Sequence, residues 1–151
     1  MQALKTTAEL EYEYLKWHGY IHLLAGILIL SVTSVNLLGL VNGGVLGLII
    51  VIASGIMFTV IYLLASWKLQ GNFSFSKQAW RGTFEDEFLN MVSLKAYKVG
   101  YIAVILAFIP GVLGVYNFVP LSREDLITCF LGISAVAYGI TIAVGLRKDN
   151  E

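Results

Sequence analysis

The chain reads as an all-α integral membrane protein: a four-helix bundle of spanning segments with both termini cytoplasmic and amphipathic cytoplasmic segments before spans one and three. Three observations predict this. Of 151 residues, 58% are hydrophobic and 13% charged, where a soluble domain is nearer half and a quarter; mean hydropathy is +0.78. Long charge-free runs alternate with short charged blocks. The blocks place nine of the ten lysines and arginines on one side of a four-span arrangement, the bias that sets orientation in a bilayer.

The first segment, 1–18, carries Lys5, Glu9, Glu11, Glu13 and Lys16, so it lacks the uncharged core of a signal peptide. Leu4, Ala8, Glu11 and Leu15 fall on one helical face, which predicts a short helix leading into span one. No charge then occurs from Trp17 to Trp67. As one helix that run is roughly 75 Å long, against about 30 Å of hydrocarbon. It therefore turns back, and the breakers between Asn36 and Gly44 mark where. Span one is 19–38 and span two 44–66.

The cytoplasmic segment 67–96 has two parts. Trp67–Gly82 mixes Trp80 and other aromatic residues with Lys68, Lys77 and Arg81, a composition suited to the headgroup layer. Thr83 is the expected cap of a new helix, with Glu85, Asp86 and Glu87 in its first turn, where the helix dipole favours acids. Phe84, Phe88, Met91 and Lys95 are expected to share its apolar face. That helix leads into span three, 97–118, interrupted by Pro110, where a kink is expected. Pro120 ends it. Ser122 and Asp125 read as a cap for span four, 126–146, which Arg147 and Lys148 close. Residues 147–151 return to the cytoplasm. All 151 residues form a single membrane domain located in the cell membrane.

The order of acidic segment, span, outer turn, span and basic stop occurs twice, with Gly19-Tyr20-Ile21 echoed by Gly100-Tyr101-Ile102. A duplication would relate the two hairpins by an axis along the membrane normal; two hairpins inserted by the same charge rule would also look alike.

At Asp86-Glu87 the chain resembles an uncharacterised family of small prokaryotic four-span membrane proteins. That family's inner loop carries aspartate-glutamate, seven variable residues and lysine-alanine before the third span; here Asp86-Glu87 and Lys95-Ala96 stand at that spacing. Where the family commonly has arginine after the glutamate, this chain has Phe88. The resemblance implies a fold and a topology, and no activity.

Candidate chemistry is sparse. His18 and His22, four apart on a helix, are the only histidines. They are the metal or haem candidates, but two ligands on one side of one helix do not make a site, so no cofactor is expected. The competing reading places both in an aromatic belt with Trp17 and Tyr20. The spans hold no Asp, Glu, Lys or Arg, which argues against a proton-coupled pump. Balanced charge, ten basic against ten acidic residues, offers no face for nucleic acid. Cys129 stands alone, so no intrachain disulfide forms.

Three functions follow as expectations. In the first, the protein is a non-enzymatic accessory, sensory or regulatory subunit in the lipid bilayer, contacting a protein partner or headgroups through Trp80, Arg81, Glu85, Asp86, Glu87, Lys95 and Lys98. In the second, it is a small transporter or channel for an uncharged or lipophilic solute, working as a homo-oligomer with span hydroxyls such as Ser31, Thr33 and Thr141 lining a path. In the third, it is a membrane enzyme or haem or metal carrier using His18 and His22.

Overall fold

A computed structural model describes residues 7–37, 49, 52–53, 55–56, 59–60, 84–113 and 122–147. Among these are three long helices: α1 (Thr7–Leu37), α2 (Glu87–Val112) and α3 (Arg123–Arg147). Each is long and apolar enough to cross a membrane, over Thr7–Val35, Glu87–Pro110 and Arg123–Arg147. Predicted spans one, three and four thus lie on α1, α2 and α3. Predicted span two falls largely outside the described residues; positions 49, 52–53, 55–56 and 59–60 within it are helical. Trp80, Arg81, Thr83 and the turns around Gly39 and Pro120 lie outside the described residues.

From Thr7 to Leu37 the N-terminal segment and span one are one continuous helix. At about 1.5 Å per residue, its 31 residues reach roughly 46 Å, well beyond the hydrocarbon thickness, so one end of α1 stands clear of the apolar layer. The helix leading into span three is likewise unbroken. It runs through Pro110 to Val112, and Leu113 N–H still reaches the Ile109 carbonyl at 3.1 Å.

The start of α3 is as expected. Asp125 N–H donates to Ser122 Oγ at 3.1 Å, and Ser122 N–H donates back to the Asp125 carboxylate at 3.2 Å, a reciprocal capping box. The start of α2 is not. Asp86, rather than Thr83, is the cap: its Oδ1 accepts from Phe88 N–H at 2.8 Å and Leu89 N–H at 3.2 Å, and the helix begins at Glu87. Phe84–Asp86 are extended or bent because their backbone donors have other partners. The Asn90 side chain clamps Phe84, accepting from its N–H at 2.6 Å and donating to its carbonyl. Of the three acids, only Glu87 lies in the first turn. Of the expected apolar face, Phe84 is buried and Phe88 packs against the core, and the rest is displaced. Met91 is 59% exposed and Lys95 is exposed, whereas Leu89, Val92, Ser93 and Ala96 are buried.

The helix α3 is the centre of the described assembly. It packs against α1 and α2, which touch each other little. A Cβ on Gly26 would meet the Gly132 carbonyl oxygen at 2.7 Å, and one on Gly139 would meet the Gly19 carbonyl oxygen at 2.6 Å. Two glycines per helix, seven residues apart, therefore let the α1 and α3 backbones touch, as small residues do between membrane helices. The pairing also gives direction: position falls along α3 as it rises along α1, so the two are antiparallel. Gly100 lies against Ser134, and Gly145 against Val92, so α3 is antiparallel to α2 as well. Hence α1 and α2 run parallel.

Burial concentrates at the end where α1 and α2 begin and α3 finishes. Leu15, Phe84, Leu89, Val92, Ala96, Ile142 and Leu146 form the core there. Towards the opposite end, Leu106, Phe108 and Val112 of α2 and Ile127 and Leu131 of α3 are 56–72% exposed, a surface suited to lipid rather than water.

Candidate functional site

The residues with chemistry gather at the buried end in two adjoining layers. The outer layer joins the first turns of α1 to the start of α2. Glu11, only 7% exposed, points both carboxylate oxygens at Glu85 N–H, each at 3.1 Å, and one at Asp86 N–H at 3.4 Å. A buried carboxylate is costly unless its lone pairs are filled. Here they are filled by donors that the helix α2 leaves open at its N-terminus, where the dipole also favours negative charge. Glu11 therefore does for the aspartate-glutamate stretch what a cap does, from a helix more than seventy positions earlier.

The inner layer is an aromatic and histidine cluster contributed by all three helices. Tyr14 stacks on His18 with centroids 5.5 Å apart, and His18 lies 4.2 Å from His22. His18 Nδ1 is 3.2 Å from the Tyr138 hydroxyl of α3. His22 Nδ1–H donates to the His18 carbonyl at 2.9 Å, which fixes its tautomer because a carbonyl only accepts. Tyr97 of α2 packs on Tyr138 at 4.9 Å, and the Tyr138 hydroxyl also bonds with Tyr97 and Ser93. Tyr138 and Ser93 are buried, and among the described residues no buried side-chain polar atom lacks a partner. The layer is a polar junction between helices.

The two histidines thus turn towards Tyr138 instead of joining an outward belt. The belt itself is Trp17 edge-on to Tyr20, centroids 6.2 Å apart. Among the described residues, no three His, Cys, Asp or Glu side chains are grouped to hold a metal ion.

Beside Glu11 a groove of about 460 Å³ opens between α1 and the start of α2, lined by Glu9, Tyr12, Glu13, Lys16, Asp86 and Phe88 among others. Of the residues singled out from sequence, Asp86 is in the groove and Glu85 is at its edge through Glu11. Glu87, Lys95 and Lys98 are exposed on α2. The sequence reading missed Glu11, Asn90, Ser93, Tyr97 and Tyr138 as a group. The one available signal was Glu11, an acid sharing a helical face with Leu15 and Ala8.

Span hydroxyls are turned inward on their own helices. Ser31, Thr33, Ser34, Thr59, Thr128 and Thr141 each donate to the carbonyl four residues back, at 2.6–2.8 Å.

No protein-family model matches the chain, and no curated protein or solved structure is significantly similar to it.

Proposed function

We propose that the protein is a four-span accessory or regulatory subunit of the cell membrane, without catalytic activity of its own, and that it engages a protein partner at its cytoplasmic end. The observation that carries this is the Glu11 junction. It brings together the two segments richest in interfacial chemistry, the N-terminal helix and the aspartate-glutamate stretch, and leaves a groove between them. Docking there needs no change in the spans.

The four-span topology draws support from helix direction. Since α1 and α2 run parallel, the chain between Leu37 and Phe84 has to return from one end of the assembly to the other. The 23 residues 44–66 carry no charge and are long enough to do so through the bilayer. The side bearing Lys16, Lys95, Lys98 and Arg147 is then cytoplasmic. This is also the topology that the resemblance at Asp86-Glu87 and Lys95-Ala96 implies.

The homo-oligomeric transporter draws less support, because the hydroxyls that would line its path are bonded to their own backbone.

Photo-crosslinking in native membranes tests the proposal. A benzophenone side chain at Phe88, in the groove, is expected to give a defined protein adduct. The same group at Ile127, which is 60% exposed on the apolar face, is expected to give lipid adducts only. Lipid adducts from both positions would sink the partner reading, as would an adduct at Phe88 that survives Glu85→Lys and Glu87→Lys unchanged.

A further inference from the structure

A second opening adjoins the groove, where α1 meets the end of α3. It holds about 220 Å³ and is lined by Tyr12, Lys16, Tyr20, Ala143, Leu146 and Arg147. None of the six is acidic. Among the described residues neither Lys16 nor Arg147 has an ion pair, so two cations from different helices converge on this cleft, with Glu9, Glu13 and Asp86 lining the adjoining groove that Lys16 also borders. The floor is apolar, Leu146 being only 3% exposed.

The cleft continues into the membrane. On α1, Lys16, Tyr20 and Ile27 recur at helical spacing on one flank, and on α3 Arg147, Val144 and Ile140 do the same. Ile27, Ile140 and Val144 are 47%, 48% and 52% exposed, so both helices carry apolar surface leading away from the cations. Trp17 and Tyr20, edge-on to each other beside Lys16 on α1, are residue types that gather at the membrane–water boundary. A cationic cleft that opens onto an apolar track at that depth matches an amphiphile with an anionic head and acyl tails.

We infer that the α1–α3 cleft binds the phosphate of an anionic phospholipid, with Lys16 and Arg147 on the phosphate, the Tyr20 hydroxyl at its edge and the tails along Ile27, Val144 and Ile140. Arginine supplies a planar fork for phosphate oxygens and lysine a mobile point charge. Basic pockets between helices on the cytoplasmic side recognise headgroups in this way. The cleft shares Tyr12 and Lys16 with the partner groove and differs from it in its α3 wall of Ala143, Leu146 and Arg147.

The test is native mass spectrometry and thermal unfolding of the full chain in detergent, titrated in parallel with phosphatidylglycerol, phosphatidylcholine and inorganic phosphate. Phosphatidylglycerol is expected to stay bound and to raise the unfolding temperature, with phosphatidylcholine and inorganic phosphate doing neither. Lys16→Gln combined with Arg147→Gln is expected to weaken phosphatidylglycerol retention roughly 30-fold, the combined effect of two cations near an anionic surface. Lys16→Arg combined with Arg147→Lys keeps it, as does Lys98→Gln on the exposed face of α2. Equal retention of both lipids by the unaltered protein overturns the inference whatever the variants do. So does an equal loss in Lys98→Gln, which would mean general surface charge. A response to inorganic phosphate alone would make the cleft a site for a free anion and remove the lipid.

Discussion

At the residue scale, the molecule depends on a few side chains for which size or charge leaves no substitute. Glu11 is one. Replacing it by Ala strands the Glu85 and Asp86 N–H groups at a part-buried helix start, a loss of about 1–3 kcal/mol. Glu11→Gln keeps one acceptor oxygen and is expected to lose less. Amide exchange at Glu85–Leu89 is the sensitive readout, faster in Glu11→Ala while amides in α3 are unchanged. Gly139 is another. A methyl there meets backbone, not a movable side-chain tip, so Gly139→Ala is expected to destabilise by about 1–3 kcal/mol. Gly55, around which a Cβ meets nothing within 4 Å, is the internal control. Gly55→Ala is expected to be neutral or to stabilise by up to about 1 kcal/mol. Unfolding in mixed micelles separates the two, and equal losses would refute the close-contact account. Tyr138→Phe removes the hydroxyl that His18, Tyr97 and Ser93 share, expected to cost about 1–2 kcal/mol as for other interhelical bonds in membranes.

Elements are set by their ends. The Ser122–Asp125 box was legible in the sequence because both partners are local, three residues apart. Ser122→Ala is accordingly expected to lower stability by about 1 kcal/mol, measured as a fall in unfolding temperature that Ser122→Asp largely restores. The start of α2 was misread for the opposite reason. Thr83 and Asp86 have the spacing of a local cap, but Glu11 and Asn90 take the backbone donors of Phe84–Asp86 and move the start to Glu87. A partner 74 positions away leaves no periodic trace. The apolar face of α2 was misassigned with it. Once the helix begins at Glu87, the stripe that meets α1 and α3 runs through Leu89, Val92 and Ala96, with Phe88 packed beside it, and not through Met91 and Lys95. Spans one, three and four were legible because a bilayer imposes length and charge exclusion on the sequence. The histidine cluster was not, because its closing residue, Tyr138, looks like any other aromatic in an apolar run.

For the whole molecule, direction is the property to measure. Glu9→Cys and Arg147→Cys, each in a Cys129→Ser background, are expected to react with a membrane-impermeant thiol reagent only from the cytoplasmic face. Labelling from opposite faces would contradict the shared end that the Glu11 junction and the Gly145–Val92 contact require. The proposed duplication bears on the same geometry. It pairs span three with span four, as α2 and α3 do pair, and Gly19 and Gly100, its matching glycines, both face α3.

The central position of α3 also has a temporal consequence. Of the three described helices it leaves the ribosome last, about 10 s after α1 at ordinary elongation rates. Until then α1 and α2 have little of each other to hold, and the glycine seats at Gly19, Gly26 and Gly100 are vacant. Biogenesis therefore has a late keystone. A nascent chain stopped after Ser122 is inserted but unassembled, the state that membrane quality-control proteases recognise, and its half-life in cells is expected to fall well below that of the full chain in a pulse-chase.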